Sequence, residues 1–367
     1  MSTETDRHFM RLAISLGARG LGRVWPNPAV GCVLVRNGRI VARGWTQPGG
    51  RPHAEAMALA QAGTQARGAT AYVSLEPCAH HGKTPPCTGA LSGAGVVRVV
   101  TALTDPDPRV CGAGHAGLRA AGIEVVEGVE AEAARAGNAG FLMRITQGRP
   151  FITLKLALTL DGRIATASGE SRWITGPEAR RHVHALRARH DAVLIGAGTA
   201  RADDPDLRVR DLGISWQPLR IVAAQHLDIP LAGRLAQTAR DVPLWLAHGA
   251  QAPAPMRDAW QGLGAQLLEL ATDAQGLAPV ALVRALGTRG LTRVFCEGGG
   301  ALAASLLRAG LVDELVVFTA GKAIGAEGRA GIGGLGLGAL HAARRFDLIE
   351  TRALGRDILH RWRAVPV

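Results

Sequence analysis

The feature that most restricts the fold of this chain is a set of one His and two Cys residues with a specific spacing. His53 is followed two residues later by Glu55, while Pro77 precedes Cys78 and eight residues separate Cys78 from Cys87. One imidazole and two thiolates give a zinc ion three ligands and leave a fourth position open for water. Zinc lowers the pKa of that water toward neutrality, which makes it a nucleophile. The pattern therefore predicts a catalytic zinc site in which Glu55 carries protons and is not a ligand.

Two other interpretations of these residues remain open at the level of sequence. A closed structural zinc site would need a fourth ligand, which His80 or His81 could supply, although such a site has no use for the nearby glutamate. A disulfide between the two Cys residues would require an oxidising compartment. Residues 1–6 are polar and acidic and lack the features of a secretory signal, so we expect a cytoplasmic protein with reduced thiols.

Length and charge limit the classes of function that the chain can serve. A chain of 367 residues is expected to form two domains, and it contains no apolar run of about eighteen residues that would span a membrane. The net charge of +12 is typical of nucleic-acid binding. However, Lys occurs only at positions 83, 155 and 322, basic residues form no long block, and aromatic residues are few. We therefore expect small anionic substrates and no nucleic-acid or membrane partner.

The first part of the chain alternates between strand and helix patterns, which predicts an α/β layered domain. Asp6 is the expected N-cap of the first helix, and Asn37-Gly38 predicts a hairpin turn. His53 precedes a helix, so Glu55 lies in its first turn, and Cys87 begins another helix. Strands are predicted at 30–35, 39–45, 70–75, 96–101 and 123–126, and helices at 6–18, 54–62, 114–121 and 130–146.

A turn-rich junction at Gln147-Gly148-Arg149-Pro150 predicts a domain boundary, which gives domains at 1–148 and 149–367. The apolar strand at 151–158 contains Lys155, which has either a buried partner or a place on a solvent-exposed edge strand. Glycines between a strand and a helix at 297–300 could approach a phosphate, or could form only a tight turn. Further strands are predicted at 191–195, 219–223, 244–247, 293–296 and 314–318, and helices at 176–189, 280–286 and 301–309.

Several motifs of the first half resemble the deaminase half of the bifunctional riboflavin-biosynthesis deaminase/reductase family. They are Pro26-Asn27-Pro28-x-Val30-Gly31, Pro52-His53-Ala54-Glu55, Tyr72-Val73-x-Leu75-Glu76-Pro77-Cys78-x-His80-His81-Gly82-x-Thr84-Pro85-Pro86-Cys87 and Asp105-Pro106-x-Pro108. The resemblance implies a cytidine-deaminase-like three-layer α/β domain. It also implies that His53, Cys78 and Cys87 bind one zinc ion, that Glu55 is catalytic, and that Asn27, His80 and Lys83 contact the substrate. Thr46 stands where the family usually has a His.

The second half resembles the reductase half of the same family, which has a dihydrofolate-reductase-like α/β fold and uses NADPH. The matching motifs include Leu154-Lys155-Leu156-Ala157, Ser168-Gly169-Glu170-Ser171-x-Trp173, Gly196-x-Gly198-Thr199, Ala202-Asp203-Asp204-Pro205 and Glu297-Gly298-Gly299. By resemblance, the residues that line the NADPH site are Ala157, Trp173, Thr199, Asp203, Gly299, Gly300, Ala301, Leu302, Ala303, Ala304 and Ser305. Those that hold the substrate are Lys155, Ser171, Arg187, Leu207, Arg210 and Glu297. Ala224-Gln225 replaces an Asp-Ser-like pair of the family.

The resemblance implies a homo-oligomeric, bifunctional enzyme. It would deaminate 2,5-diamino-6-ribosylamino-4(3H)-pyrimidinone 5′-phosphate and then reduce the ribosyl group of 5-amino-6-(5-phosphoribosylamino)uracil to ribityl. One alternative is a deaminase that acts on RNA bases, as the basic charge allows, with a second domain that has no catalytic role. Another is a deaminase whose second domain serves only oligomerisation or binding.

Overall fold

The computed structural model describes residues 3–79 and 85–365. The chain divides into two compact units, residues 1–148 and 149–367. Within the described ranges, no helix has both the length and the apolar character that a membrane span requires.

The first unit is built around a mixed sheet of five strands in the order β2-β1-β3-β4-β5. Strand β1 pairs antiparallel with β2 and β3, and the β3–β4 and β4–β5 pairs are parallel. The strands are β1 (Gly31–Arg36), β2 (Arg39–Trp45), β3 (Thr70–Val73), β4 (Arg98–Thr101) and β5 (Glu124–Val126). The helices are α1 (Glu4–Gly17), α2 (Ala54–Ala62), α3 (Cys87–Gly93), α4 (Ala113–Ala120) and α5 (Ala131–Gln147).

Two close approaches place helices on opposite faces of this sheet. Gly31 lies against the backbone of Ala13 in α1, and Gly44 lies against that of Ala54 in α2; a Cβ at either glycine would come within about 2 Å of a carbonyl oxygen. Gly44 pairs across the sheet with Cys32, the neighbour of Gly31, and adjacent residues in a strand point to opposite faces. The first unit therefore has helix, sheet and helix layers.

The first helix begins earlier than the sequence indicated. Thr3 is the N-cap of α1, and its hydroxyl accepts a hydrogen bond from the Asp6 backbone N–H. The Asp6 carboxylate in turn accepts from the Thr3 backbone N–H, which completes a capping box. The prediction of Asp6 as N-cap was therefore wrong by three residues, because Thr3 and Asp6 both have capping side chains and only their pairing shows which of them begins the helix.

The second unit contains a sheet of nine strands in the order β11-β10-β9-β8-β14-β6-β15-β18-β17. The pairs from β11 to β15 are parallel, and β15–β18 and β18–β17 are antiparallel. The strands are β6 (Phe151–Thr159), β7 (Arg163–Ala165), β8 (Ala192–Gly196), β9 (Leu219–Ala223), β10 (Leu244–Gly249), β11 (Gln266–Leu270), β12 (Thr272–Asp273), β13 (Gly276–Leu277), β14 (Arg293–Cys296), β15 (Glu314–Ala320), β16 (Arg329–Ala330), β17 (Phe346–Leu354) and β18 (Asp357–Ala364). The helices are α6 (Pro177–Arg187), α7 (Ala197–Asp203), α8 (Arg234–Gln237), α9 (Ala254–Gly262), α10 (Pro279–Thr288) and α11 (Gly300–Arg308).

Strand β6, which carries Lys155, lies inside this sheet. It pairs with β14 on one side and with β15 on the other, so the edge-strand interpretation of Lys155 is wrong. The side chain is 17 % exposed and faces the Glu297 carboxylate. The buried-partner interpretation is therefore the one that the structure bears out.

Candidate functional site

Three separate elements bring the proposed zinc ligands together. His53 is the N-cap residue of α2, Cys78 lies in the segment that follows β3, and Cys87 is the first residue of α3. The His53 Nδ1 atom lies 3.6 Å from the Cys78 sulfur and 3.4 Å from the Cys87 sulfur. All three ligand atoms fall within 4.8 Å of one another.

These separations fit a tetrahedral zinc ion. Zn–N and Zn–S bonds of ordinary length at a tetrahedral angle place the nitrogen and sulfur atoms about 3.6 Å apart. The cysteines are free thiols, which excludes the disulfide interpretation. His80 and Lys83, two of the expected substrate contacts, lie outside the described residues, as does His81.

The surroundings of the two sulfurs favour a thiolate at Cys78, whereas the hydrogen bond to Cys78 and burial raise the pKa of Cys87. The Cys87 thiol donates to Cys78, and together with the nearby His53 this lowers the pKa of Cys78 to about 4. The backbone N–H of Cys87, at the start of α3, also donates to the Cys78 sulfur over 3.4 Å. A helix N-terminus stabilises such a negative charge, so a cation would find one ligand already ionised.

Glu55 lies in the first turn of α2 and is 3 % exposed. Burial raises the pKa of its carboxyl group, although the proximity of His53 opposes the shift. A carboxyl group whose pKa is raised is a stronger base, which suits a group that accepts a proton and returns it. The position and the environment of Glu55 therefore suit proton transfer beside the proposed metal.

Asn27 lies in the turn between α1 and β1 and is partly exposed. Thr46, in contrast, is turned into the core, where its hydroxyl accepts from the Val30 N–H at 3.0 Å. The Thr46 side chain is therefore bonded to the backbone and is not presented to a ligand.

One buried carboxylate in this region was not singled out from the sequence. Glu76, two residues before Cys78, accepts hydrogen bonds from the backbone N–H groups of Asp105, Gly112, Gly114 and His115, at 2.8–3.2 Å. These bonds tie the segment that carries Cys78 to the start of α4. The sequence signal that could have identified Glu76 was a charged residue in an otherwise apolar segment, two residues before a proposed metal ligand.

In the second unit, Lys155, Arg187 and Glu297 form a buried charged group. The Arg187 guanidinium donates to both Glu297 oxygens, at 2.5 and 3.1 Å, and to the Arg208 carbonyl at 2.9 Å. The Lys155 ammonium lies 3.9 Å from Glu297. Burial lowers the pKa of Lys155, whereas Arg187 and Lys155 together outweigh burial and hold the pKa of Glu297 below its usual value.

Arg187 and Arg210, two of the expected substrate contacts, differ in their availability. The Arg187 guanidinium is committed to Glu297 and to the Arg208 carbonyl, while Arg210 is exposed and forms no ion pair within residues 3–79 and 85–365. His184, which was not predicted, accepts from the Arg210 N–H through Nδ1 at 3.3 Å. Its position three residues before Arg187 on α6 was the sequence signal, because such residues share a helix face.

The residues expected at the NADPH site follow several neighbouring strands. Ala157 is two residues from Lys155 on β6, so both side chains point to the same face of the sheet. The Gly299 N–H donates to the Thr199 hydroxyl at 3.1 Å, which joins the start of α11 to α7. Asp203 ends α7, and its carbonyl accepts from Arg172 at 2.6 Å.

The segment Gly299–Ser305 comprises the N-cap residue and the first six residues of α11, and a helix N-terminus suits a phosphate. The second residue of this segment, Gly300, has a backbone partner, because the Gly333 N–H donates to its carbonyl at 2.9 Å. Trp173 is 61 % exposed and stacks against the Arg180 guanidinium. Ser171 and Leu207 lie in loops before α6 and after α7, and Leu207 is buried. Ala224 is buried in the core, so it offers no polar contact to a cofactor.

Comparison with known proteins covers both units. Residues 3–103 match the cytidine and deoxycytidylate deaminase zinc-binding region, and residues 150–360 match the RibD C-terminal domain. The riboflavin biosynthesis protein RibD of Escherichia coli is 42 % identical over 364 residues, which are 96 % of this chain and 98 % of the relative. That of Aquifex aeolicus is 41 % identical, with 98 % of each chain covered.

Solved structures give the same result. Acinetobacter baumannii RibD, form 2, superposes with a TM-score of 0.88 at 38 % identity, and 99 % of each chain is covered. A Thermotoga maritima diaminohydroxyphosphoribosylaminopyrimidine deaminase/5-amino-6-(5-phosphoribosylamino)uracil reductase gives a TM-score of 0.86 at 34 % identity, again over 99 % of each chain. The expected deaminase-like and reductase-like α/β folds are thereby confirmed, and the chain belongs to the RibD family of riboflavin biosynthesis proteins.

Proposed function

We propose that this chain catalyses two successive reactions of riboflavin biosynthesis. The first is hydrolytic deamination of 2,5-diamino-6-ribosylamino-4(3H)-pyrimidinone 5′-phosphate. The second is reduction of the ribosyl group of 5-amino-6-(5-phosphoribosylamino)uracil to ribityl. The observation that carries the proposal is the zinc-ligand geometry of His53, Cys78 and Cys87 beside the buried Glu55, in a chain that matches RibD proteins over nearly its whole length.

In the deaminase unit, His53 and the two thiolates would hold one zinc ion. When bound, zinc supplies the Lewis acidity that makes a water molecule nucleophilic near neutral pH. Glu55 accepts a proton as the pyrimidine carbon is attacked and delivers a proton to the departing amine. Asn27, with His80 and Lys83, would orient the pyrimidine and its ribose phosphate.

In the reductase unit, the proposed cofactor is NADPH, which supplies a hydride to the sugar C1 carbon. Lys155 and Ala157 share one face of β6, so a residue expected to contact the substrate is next to one expected at the cofactor. Glu297 holds Lys155 through charge, and Arg187 holds Glu297. Because the Arg187 guanidinium is already engaged, Arg210 is the better candidate for the substrate phosphate.

The RNA-editing alternative requires a second domain that has no catalytic role. It is not favoured, because residues 150–360 match the RibD C-terminal domain. A single coupled assay tests the proposal. The purified protein is given the diamino substrate and NADPH, and ammonia release and loss of NADPH absorbance are followed in the same sample. We expect ammonia to appear first and NADPH consumption to follow, with NADH as the comparison cofactor.

We also propose that the protein is a homo-oligomer. Strands β15, β18 and β17 present one sheet face on which Leu315, Val317, Leu348, Ile358 and Trp362 are partly or largely exposed; we call it the C-terminal face. The opposite face of β15 and β18 is buried against α6 through Val316, Phe318 and Leu359. An uncovered apolar sheet face of this kind supports association with a second copy.

A further inference from the structure

The strongest unassigned feature of the deaminase unit is a close contact between Gly50 and Asn27. Gly50 is buried and has a φ of 84°, a backbone conformation that favours glycine. A Cβ at this position would lie 1.9 Å from the Asn27 Nδ2, 2.4 Å from its Cγ and 2.8 Å from its Cβ. No side chain can occupy position 50 unless the Asn27 carboxamide moves.

The Asn27 carboxamide is positioned by this packing and not by hydrogen bonds. Within residues 3–79 and 85–365 its side chain forms no hydrogen bond, and only its backbone N–H is engaged, with the Val24 carbonyl at 3.0 Å. A carboxamide that is fixed in place while its donors and acceptor stay free is suited to bind the polar edge of a heterocycle.

The loop that contains Gly50 also leads to the zinc ligand His53. The Gly49 N–H donates to the Arg23 carbonyl at 2.8 Å, and the Gln47 N–H donates to the Pro52 carbonyl at 3.0 Å. These bonds fix the loop on one side to the turn before Asn27 and on the other to the residue before His53. The loop therefore couples the position of the carboxamide to the segment that carries a metal ligand.

We propose that Gly50 is a positioning residue of the deaminase, which fixes the Asn27 carboxamide for binding the pyrimidine by presenting bare backbone to it. The inference rests on the proposed function, because it takes Asn27 to be a substrate contact. It adds to that function a steric requirement at a position that is not among the proposed metal ligands or substrate contacts.

Gly49 provides a matched control for the test. It has a similar φ of 77°, but a Cβ at Gly49 would meet nothing within 4 Å. Gly49→Ala and Gly50→Ala therefore introduce comparable backbone strain, and only Gly50→Ala displaces Asn27. We expect Gly50→Ala to raise the KM for the diamino substrate about tenfold or more. Gly49→Ala should change KM less than twofold, and zinc content and reductase activity should stay unchanged in both.

A double-mutant cycle with Asn27→Gly decides whether Gly50 acts through Asn27. Because Asn27→Gly removes all three atoms that the new Cβ would meet, Gly50→Ala should add no further increase in KM in that background. Equal KM values for the two alanine variants, or additive effects in the cycle, would overturn the inference.

Loss of folding is also informative in this design. If Gly50→Ala does not accumulate as folded protein, the Asn27→Gly/Gly50→Ala variant should, and a double variant that also fails to fold would overturn the inference. Absence of ammonia release by the unsubstituted protein would instead overturn the proposed function, and this inference with it.

Discussion

The environment of Glu55 separates its role from that of the metal ligands. It is fully enclosed in the first turn of α2, and burial raises the pKa of its carboxyl group. The His53 and cysteine ligand atoms form a complete set of three without it. Glu55 can therefore be altered chemically while the three groups proposed to hold the metal remain in place.

Glu55→Gln should retain zinc and lose ammonia release. The amide has the shape of the carboxyl group but cannot accept and return a proton, so we expect kcat for deamination to fall by about 10²- to 10⁴-fold. Metal analysis by mass spectrometry and ammonia assays on one preparation give the comparison, with reductase turnover as the control for integrity. Deamination at a normal rate would show that another group carries the proton.

In the reductase unit, the role of Lys155 can likewise be separated from the supporting roles of Glu297 and Arg187. The bidentate contact from Arg187 keeps Glu297 charged, and Glu297 in turn provides the negative charge that a buried ammonium requires. Lys155 itself is the member that combines partial exposure with a position next to Ala157.

Lys155→Met should impair reduction alone. Methionine preserves the unbranched apolar stem, so the strand should pack as before while the ammonium is lost. We expect reductase kcat/KM to fall by about 100-fold and ammonia release to remain unchanged. The measurement is NADPH oxidation with the deaminated uracil substrate. An equal loss of both activities would indicate a general folding defect instead of a local role.

At the scale of elements, Glu76 joins the end of β3 to the start of α4. Its side chain is fully buried, and each carboxylate oxygen accepts two backbone N–H groups. Gly114 also packs so closely on the Pro77 carbonyl that a Cβ there would lie 2.1 Å away. Backbone contacts therefore fix the two residues that precede Cys78, Glu76 and Pro77.

Glu76→Gln should weaken zinc binding without removing a ligand. The amide nitrogen would face two backbone N–H groups, and leaving buried donors unpaired costs about 1–3 kcal/mol. We expect zinc affinity, measured by competition with a chelator, to fall by about 10- to 100-fold. Glu127→Gln is the matched control, because Glu127 also contacts His115 but is partly exposed. Equal affinity in the two variants would contradict a role for Glu76 in holding Cys78.

Some elements were predicted with the bounds that the structure shows, whereas α7, which carries Thr199 and Asp203, was not predicted. The bounds predicted for the segments at 39–45, 54–62, 219–223 and 293–296 agree with the structure. Each has uniform burial or a clear boundary signal, such as Asn37-Gly38 with both residues at positive φ. The predicted strand at 70–75 was two residues too long, because Leu75 is as apolar as a strand residue although it lies in the irregular segment that leads to Cys78.

The strands β17 and β18 could not be predicted in the same way. Their residues alternate poorly, since β17 is exposed on both sides and β18 carries the partly exposed Arg361 and Arg363, which form ion pairs with the buried Glu314. Likewise, Glu297, the partner of Lys155, lies 142 positions later in the sequence. Only the pairing of β6 with β14 brings the two residues together.

At the scale of the whole molecule, charge constrains how copies can meet. A net charge of +12 opposes close approach of two chains. The C-terminal face is an exception, because Leu315, Val317, Leu348, Ile358 and Trp362 carry no charge and each side chain is at least partly exposed. Leu348 and Ile358 are 52 % and 46 % exposed, which is unusual for large apolar side chains in one sheet.

Leu348→Asp should therefore dissociate the homo-oligomer. An isologous contact would bring two copies of the new carboxylate into an apolar interface, where both lose solvation, so we expect the dissociation constant to rise by at least about 100-fold. Sedimentation velocity over a range of protein concentrations measures it. Val280→Asp is the matched control, because Val280 is 41 % exposed on α10, away from this face. A single-chain mass of 38.3 kDa for the unsubstituted protein at all concentrations would contradict association through the C-terminal face. If the variant dissociates but keeps both activities, each chain contains complete sites, and the role of the face is confined to assembly.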